Sequence, residues 1–294
     1  MATPSTCSGS WTNSITLALA LTVLAIAASA AQFTSSTTVV EVYATVTDKS
    51  GRSVRGLTQA DFEVLEDGTA QTISNFAAGD FPLRVALAID RSFSVAGRQL
   101  DASKRAARGF LNALRPEDES VILAIGSEVS TVAEASVPRA QQAAAVEAVD
   151  AWGTTKLHDA IIQAIDATDG ARGRRAVVIL SDGDDRYSDT PAAAVVTRAR
   201  RANVLIYPVA VAKTRPPLFA ELSSVSGGRS SHVRDLRTLD ATLTNIVSEL
   251  REQYLLGYSP TRPFTAGRDE WRSITVRVKR PDLNVRARDG YFVK

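Results

Sequence analysis

Apolar and polar positions alternate from Val39 to Thr47, with Val40, Val42, Ala44 and Val46 on one parity and Glu41, Tyr43, Thr45 and Thr47 on the other. A period of two predicts a half-buried strand, stopped by Asp48-Lys49-Ser50-Gly51. A short turn at Leu57–Asp61 leads into Phe62–Leu65, and Glu66-Asp67-Gly68 returns the chain through Gln71–Phe76. From Leu83 the pattern changes. Leu83–Ile89, Ser120–Ile125, Ala176–Leu180 and Val204–Val211 are short, nearly continuous apolar runs, as expected of parallel strands buried on both faces. Helical spacing separates them: Leu100, Ala107, Leu111 and Leu114 line one face, and Leu236, Leu239, Leu243, Ile246 and Leu250 make a last amphipathic stripe. Thr190-Pro191 reads as the start of another helix, with a cap and a first-turn proline. After Glu252 strands resume at Tyr254–Tyr258, Arg272–Lys279, Val285–Arg288 and Gly290–Val293.

Alternating β and α segments predict a doubly wound α/β domain with a mostly parallel sheet over residues 81–251. The strands at 31–80 and 252–294 are too few on either side to close a core. An isolated hairpin is marginal in water, so the two flanks are expected to pair as one small all-β domain.

The 294 residues carry a formal charge of +2, with 45% hydrophobic and 22% charged side chains, which excludes collagen-like and disordered classes. No zinc-finger spacing, RNA-binding motif or dense basic cluster points to nucleic acid. Cys7 is the only cysteine and His158 and His232 lie far apart, which removes disulfides and most zinc chemistry.

Residues 1–30 hold no charged side chain, and the apolar run from Ile15 ends in Ala28-Ser29-Ala30. A short apolar core closing on a small-x-small triplet predicts a secretory signal peptide over 1–30, although the leader lacks Lys or Arg and an uncleaved anchor is the alternative. The expected product is secreted or periplasmic, with no membrane span in the mature chain.

Ligands of open α/β sheets gather at the carboxyl ends of the strands. There the first run is followed by Asp90-Arg91-Ser92-Phe93-Ser94 and the third by Ser181-Asp182-Gly183-Asp184-Asp185, while Gly153-Thr154-Thr155 opens a helix between them. Two carboxylates and several hydroxyls thus meet on one rim. Oxygen-only donors suit a hard cation such as Mg²⁺.

Asp90-x-Ser92-x-Ser94, then Thr155 after a small pair, then Asp182-Gly183 after an apolar strand, resembles the von Willebrand factor A (VWA) domain and its metal-ion-dependent adhesion site. The flanks, Val46–Gly51 through Asp61–Val64 and Tyr254–Tyr258, resemble a group of exported bacterial proteins with a VWA-related domain. The resemblance implies that Ser92, Ser94 and Thr155 offer hydroxyls to Mg²⁺ (or Mn²⁺ or Ca²⁺), with Asp90 and Asp182 acting through coordinated waters. It implies a non-enzymatic adhesion-type module whose partner is a protein ligand with an exposed Asp or Glu. Phe93 stands where the family usually has a small residue, and Thr154 where it often has Gly.

Other features have plainer interpretations. Asp184, Asp185 and Asp189 read as a solvated loop, His158 as structural, and Arg272, Arg277, Lys279, Arg286 and Arg288 as a solvated outer sheet face. Two rival functions are a metal-assisted phosphoester or sulfoester hydrolase with Asp90 or Ser92 as nucleophile, and a scaffold that keeps the fold without the metal.

Overall fold

Fourteen strands and six α-helices follow one another in the computed structural model, which describes residues 1–2, 39–79, 81–171, 173–264 and 269–293. The expected leader and its cleavage point at Ala30 lie outside the described residues, apart from residues 1–2. In chain order the elements are β1 (Val40–Thr47), β2 (Phe62–Glu66), β3 (Thr69–Gln71), β4 (Ile73–Ala78), β5 (Leu83–Asp90), α1 (Arg98–Ala113), β6 (Glu119–Ile125) and β7 (Val129–Ala133). There follow α2 (Arg139–Glu147), α3 (Leu157–Asp166), β8 (Arg174–Ser181), α4 (Ala192–Arg201), β9 (Leu205–Ala210), α5 (Pro217–Ser226) and β10 (Ser231–His232). The chain ends with α6 (Leu239–Arg251), β11 (Tyr254–Tyr258), β12 (Trp271–Val278), β13 (Asn284–Arg286) and β14 (Gly290–Phe292).

The central sheet has the order β10-β9-β8-β5-β6-β7 and is parallel except for β7, which runs antiparallel to β6. The four continuous apolar runs are its inner strands, because both faces are covered. Side chains of α1, α2 and α6 pack one face with Val85, Leu87 and Ile89, and those of α3, α4 and α5 pack the other with Ala86 and Ala88. The sequence pattern predicts neither the edge strands β7 and β10 nor the helices α2 and α5, whose apolar positions are few or irregular. The helix after Thr190 begins at Ala192 with Pro191 in the cap position and no side-chain cap, so Thr190 is not the capping residue.

The flanking strands make two antiparallel sheets, β13-β1-β11-β4 and β14-β12-β2-β3. Each mixes N-terminal and C-terminal segments. They face one another across a shared core of Val42, Ala44, Val46, Phe62, Val64, Leu256, Tyr258, Ile274 and Val276. Asp67 and Gly68 both have positive φ (46° and 81°) in the two-residue link from β2 to β3. That is the twist a tight hairpin needs, and Asp-Gly supplies it at low cost. One residue after β3, at Thr72, the chain leaves one sheet for the other: β3 pairs with β2, but β4 pairs with β11.

Two sequence expectations need correction. β1 is buried on both faces in its middle: Tyr43 is 6% and Thr45 2% exposed. The Tyr43 ring packs in the α/β core and under the Arg174 guanidinium at 5.0 Å, while Thr45 Oγ1 accepts from Gln253 Nε2 at 2.8 Å. The second correction concerns the basic strip. Arg272 is fully buried, bonded to Glu66 Oε1 at 3.0 Å, Arg286 pairs with Glu249 at 2.8 Å, and only Arg277 is mostly exposed among the ion-paired arginines of β12 and β13. Arg272 shares parity with Ile274 and Val276, so it belongs to the inward face.

Candidate functional site

Strand order reverses at β5: the chain adds β6 on one side and later returns to add β8 on the other. A crevice outside the carboxyl ends of such strands is where open α/β sheets bind ligands. Asp90 closes β5 and Ser181 closes β8, and the register pairs Ile89 with Leu180, so the two end residues lie side by side.

From this junction a chain of oxygen contacts runs outward. Ser181 Oγ donates to Asp90 Oδ2 at 2.6 Å, and the Ser92 backbone N–H donates to Asp90 Oδ1 at 2.9 Å. The Ser92 and Ser94 hydroxyls are 3.0 Å apart, and Ser94 Oγ donates to Asp182 Oδ2 at 2.7 Å. Four of the five residues singled out from the sequence are therefore brought together by direct contacts. Thr155 is placed in the adjoining loop, 2% exposed, and no hydrogen bond joins its side chain to the other four among the described residues. Its loop is nevertheless stitched to the site: Phe93 N–H donates to Gly153 O at 3.0 Å, Trp152 N–H to Arg91 O at 2.7 Å, and Arg186 N–H to Thr155 O at 2.6 Å. Gly153 makes this possible with φ of 77°, and a Cβ there would lie 2.4 Å from Ser127 Oγ.

Ser92 and Ser94 are not helix caps. Ser92 precedes a short 3₁₀ turn at Phe93–Val95 without a side-chain cap bond, and Gly97 occupies the cap position of α1. Their hydroxyls are turned to the site instead. Asp185 is likewise not simply solvated: its Oδ1 accepts from the His158 N–H at 3.0 Å and from Ser188 Oγ at 2.6 Å, holding the start of α3. His158 completes that brace with Nδ1 at 2.9 Å from Thr190 O. Asp184 and Asp189 are the exposed ones, and Asp189 pairs with Lys156 at 2.8 Å.

Electrostatically the centre is an under-compensated anion. Asp90 is 2% exposed, and burial pushes its carboxyl above the usual carboxylate range. The bonds from Ser181 and Ser92 oppose that rise, while the Asp182 charge adds to it. No ion pair reaches Asp90 or Asp182 among the described residues; the neighbouring Arg91 guanidinium lies over the Trp152 ring at 5.1 Å. No group of three His, Cys, Asp or Glu side chains suited to a metal is found among the described residues. The set has two carboxylates and is otherwise built of hydroxyls.

A six-stranded sheet with helices on both faces, opened at a switch point by a D-x-S-x-S turn, defines a VWA-type α/β module. The family model for the von Willebrand factor type A domain matches residues 85–249, and the chain belongs to that family. Among solved structures it is similar to a von Willebrand factor type A protein from Catenulispora acidiphila, at 14% identity and a TM-score of 0.51, covering 79% of this chain and 72% of that one. It is similar also to proximal thread matrix protein 1 from the mussel byssus, at 11% identity and a TM-score of 0.50, covering 63% of this chain and 51% of that one. No curated protein matches the chain. At these identities the likeness is one of fold.

Proposed function

We propose that this chain is an exported, cation-dependent protein-binding module. Ser92, Ser94 and Thr155 would hold a divalent cation such as Mg²⁺ through hydroxyl oxygens, with the Asp90 and Asp182 carboxylates balancing its charge. The observation that carries the reading is the unbroken contact chain Ser181–Asp90–Ser92–Ser94–Asp182 around a buried carboxylate without a basic partner. The residues fit the ion: every donor is oxygen, and Mg²⁺ is bound by few carboxylates while keeping positions open. When bound, the cation supplies an electrophilic centre for an incoming carboxylate, so the favoured partner is a protein with an exposed Asp or Glu. Asp90 fixes the Ser92 backbone, Ser94 ties that turn to Asp182, and the two strand ends hold both from beneath.

Export is supported by the apolar segment closing on Ala28-Ser29-Ala30. Among the described residues no helix is long and apolar enough to cross a membrane.

Calorimetric titration of the full chain with Mg²⁺ tests the site. Wild type should bind one ion, and Asp90→Ala should abolish binding while the circular dichroism stays that of the folded chain, with a lower urea midpoint because Ser181 Oγ and the Ser92 N–H lose their acceptor. Undiminished Mg²⁺ binding by the variant would refute the assignment, absence of binding by wild type would favour the metal-free scaffold, and Mg²⁺-dependent turnover of a generic phosphoester would favour the hydrolase.

A further inference from the structure

Three large aromatic side chains stand exposed among the described residues: Phe93 at 67%, Trp152 at 42% and Tyr187 at 76%. Single exposed apolar residues are ordinary. These three are not scattered, because each sits in one of the three loops that build the candidate cation site. Phe93 lies between Ser92 and Ser94, Trp152 precedes Gly153-Thr154-Thr155, and Tyr187 follows Asp182 by five positions. The backbone bonds from Phe93 to Gly153, Trp152 to Arg91 and Arg186 to Thr155 hold the three loops against one another. The aromatics therefore ring one rim.

Tyr187 carries a second sign. Its φ is 73°, a left-handed backbone that bulky residues rarely adopt. Strain of this kind persists where the surroundings over-determine it, and it clusters at functional loops. The cation of the proposed site sets the occupant's sign, because the side-chain charge on the rim is mixed, with Asp184 73% exposed beside Arg186. The Arg91 guanidinium lies over the Trp152 ring at 5.1 Å, and its Nε is buried without a hydrogen-bond partner among the described residues. Arg186 is two-thirds exposed and lies 3.9 Å from the equally exposed Asp184. A cation centre with three aromatic rings about it suits a segment that is acidic at its centre and apolar at its sides.

We propose that Phe93, Trp152 and Tyr187 form an aromatic collar that takes the apolar side chains flanking the acidic residue of a protein ligand; this deepens, and rests on, the cation-dependent reading above. Aromatic rings offer large contact area at small entropic cost, which is why they dominate binding hot spots. Covering the rim also excludes water, and a carboxylate contact made there is stronger than one left in solvent.

The test uses the full chain and two sets of immobilised synthetic peptides with one central Glu, flanked by Leu and Phe in one set and by Ser and Gly in the other. In Mg²⁺ the apolar-flanked set should be retained about tenfold more tightly or better. The double variant Phe93→Ser/Tyr187→Ser should lose that preference while calorimetry shows its Mg²⁺ affinity intact; Trp152 is kept because its ring packs on Gly126. Equal retention of the sets, retention of neither, an unchanged preference in the double variant, or selective retention of glycans instead would each overturn the collar. The two readings fail separately. Preference that survives chelation keeps the collar and removes the cation, whereas Mg²⁺ binding without preference keeps the cation and removes the collar.

Discussion

Glu66 and Arg272 carry a buried ion pair that joins the N-terminal flank to the C-terminal one, and breaking it should unfold the flanking β sheets first. Glu66 Oε1 accepts from Arg272 Nη1 at 3.0 Å, and its Oε2 accepts from the Tyr258 and Tyr291 hydroxyls at 2.9 and 2.8 Å. The guanidinium also donates to Arg262 O at 2.9 Å and Pro263 O at 2.8 Å, with Phe264 at 5.0 Å beneath it. Burial, reinforced by the Glu66 carboxylate, pushes both tyrosine hydroxyls well above their usual range, so they remain donors at any working pH. Glu66→Ala leaves one buried cation and two buried hydroxyls without their acceptor. Breaking a buried pair costs about 3–5 kcal/mol, and the two orphaned hydroxyls add to the loss. The carbonyls of Arg262 and Pro263 and the Glu270 carboxylate at 3.6 Å still serve Arg272 and hold the loss to the lower part of that range. A domain is stable by only about 5–15 kcal/mol, so the effect is large. Glu63→Ala is the internal control: Glu63 lies on the same strand, and its Arg277 partner is 3.6 Å away and 64% exposed, so that pair is worth about 0–1 kcal/mol. Urea denaturation gives the magnitudes, and amide exchange shows where protection is lost, which should be β2 and β12 and not β5 and β8. Equal losses for Glu66→Ala and Glu63→Ala would refute the reasoning. Replacing both partners with apolar residues, Glu66→Leu with Arg272→Met, should recover part of the loss.

Removing residues 252–294 should strip amide protection from β1, since both its pairing neighbours, β11 and β13, come from that segment; retained protection would mean the flanks fold independently. Gly153→Ala should destabilise the chain by about 1–3 kcal/mol and weaken Mg²⁺ binding, because the new methyl meets Ser127 in a left-handed backbone; thermal melting and calorimetry read the two effects. The Asp48 carboxyl, bonded by Ser50 and Arg52, should titrate at about 2 in a carbon-detected NMR series. Its contribution to stability is then complete above the ordinary 3.8 and lost as pH falls through about 2. N-terminal sequencing of exported protein should begin at or near Ala31, and an intact Met1 on membrane-bound material would favour the anchor.

Much of this was legible before any coordinates. Continuous apolar runs marked the inner parallel strands because burial on both faces leaves no polar parity, and Asp67-Gly68 marked its hairpin because few residue pairs accept two positive φ angles. The order of Asp90-x-Ser92-x-Ser94, Thr155 and Asp182 identified candidate residues that topology carries to one rim. Tertiary structure decided what local pattern cannot express. A polar alternation on β1 promised a solvated face, yet Tyr43 and Thr45 are covered by the α/β domain, a surface contributed by residues more than a hundred positions away. Arg272 had the parity of a core residue and the chemistry of a surface one; the Glu66 carboxylate, brought across from β2, resolved that conflict by making burial tolerable. The passage of the chain between sheets at Thr72 left no trace in the sequence pattern, since Thr69–Gln71 and Ile73–Ala78 are too short and mixed to show which sheet each joins. The exposure of Phe93, Trp152 and Tyr187 on one rim was equally invisible. Periodicity reports which side of an element is apolar, but what covers that side, or leaves it bare, is set by non-local packing.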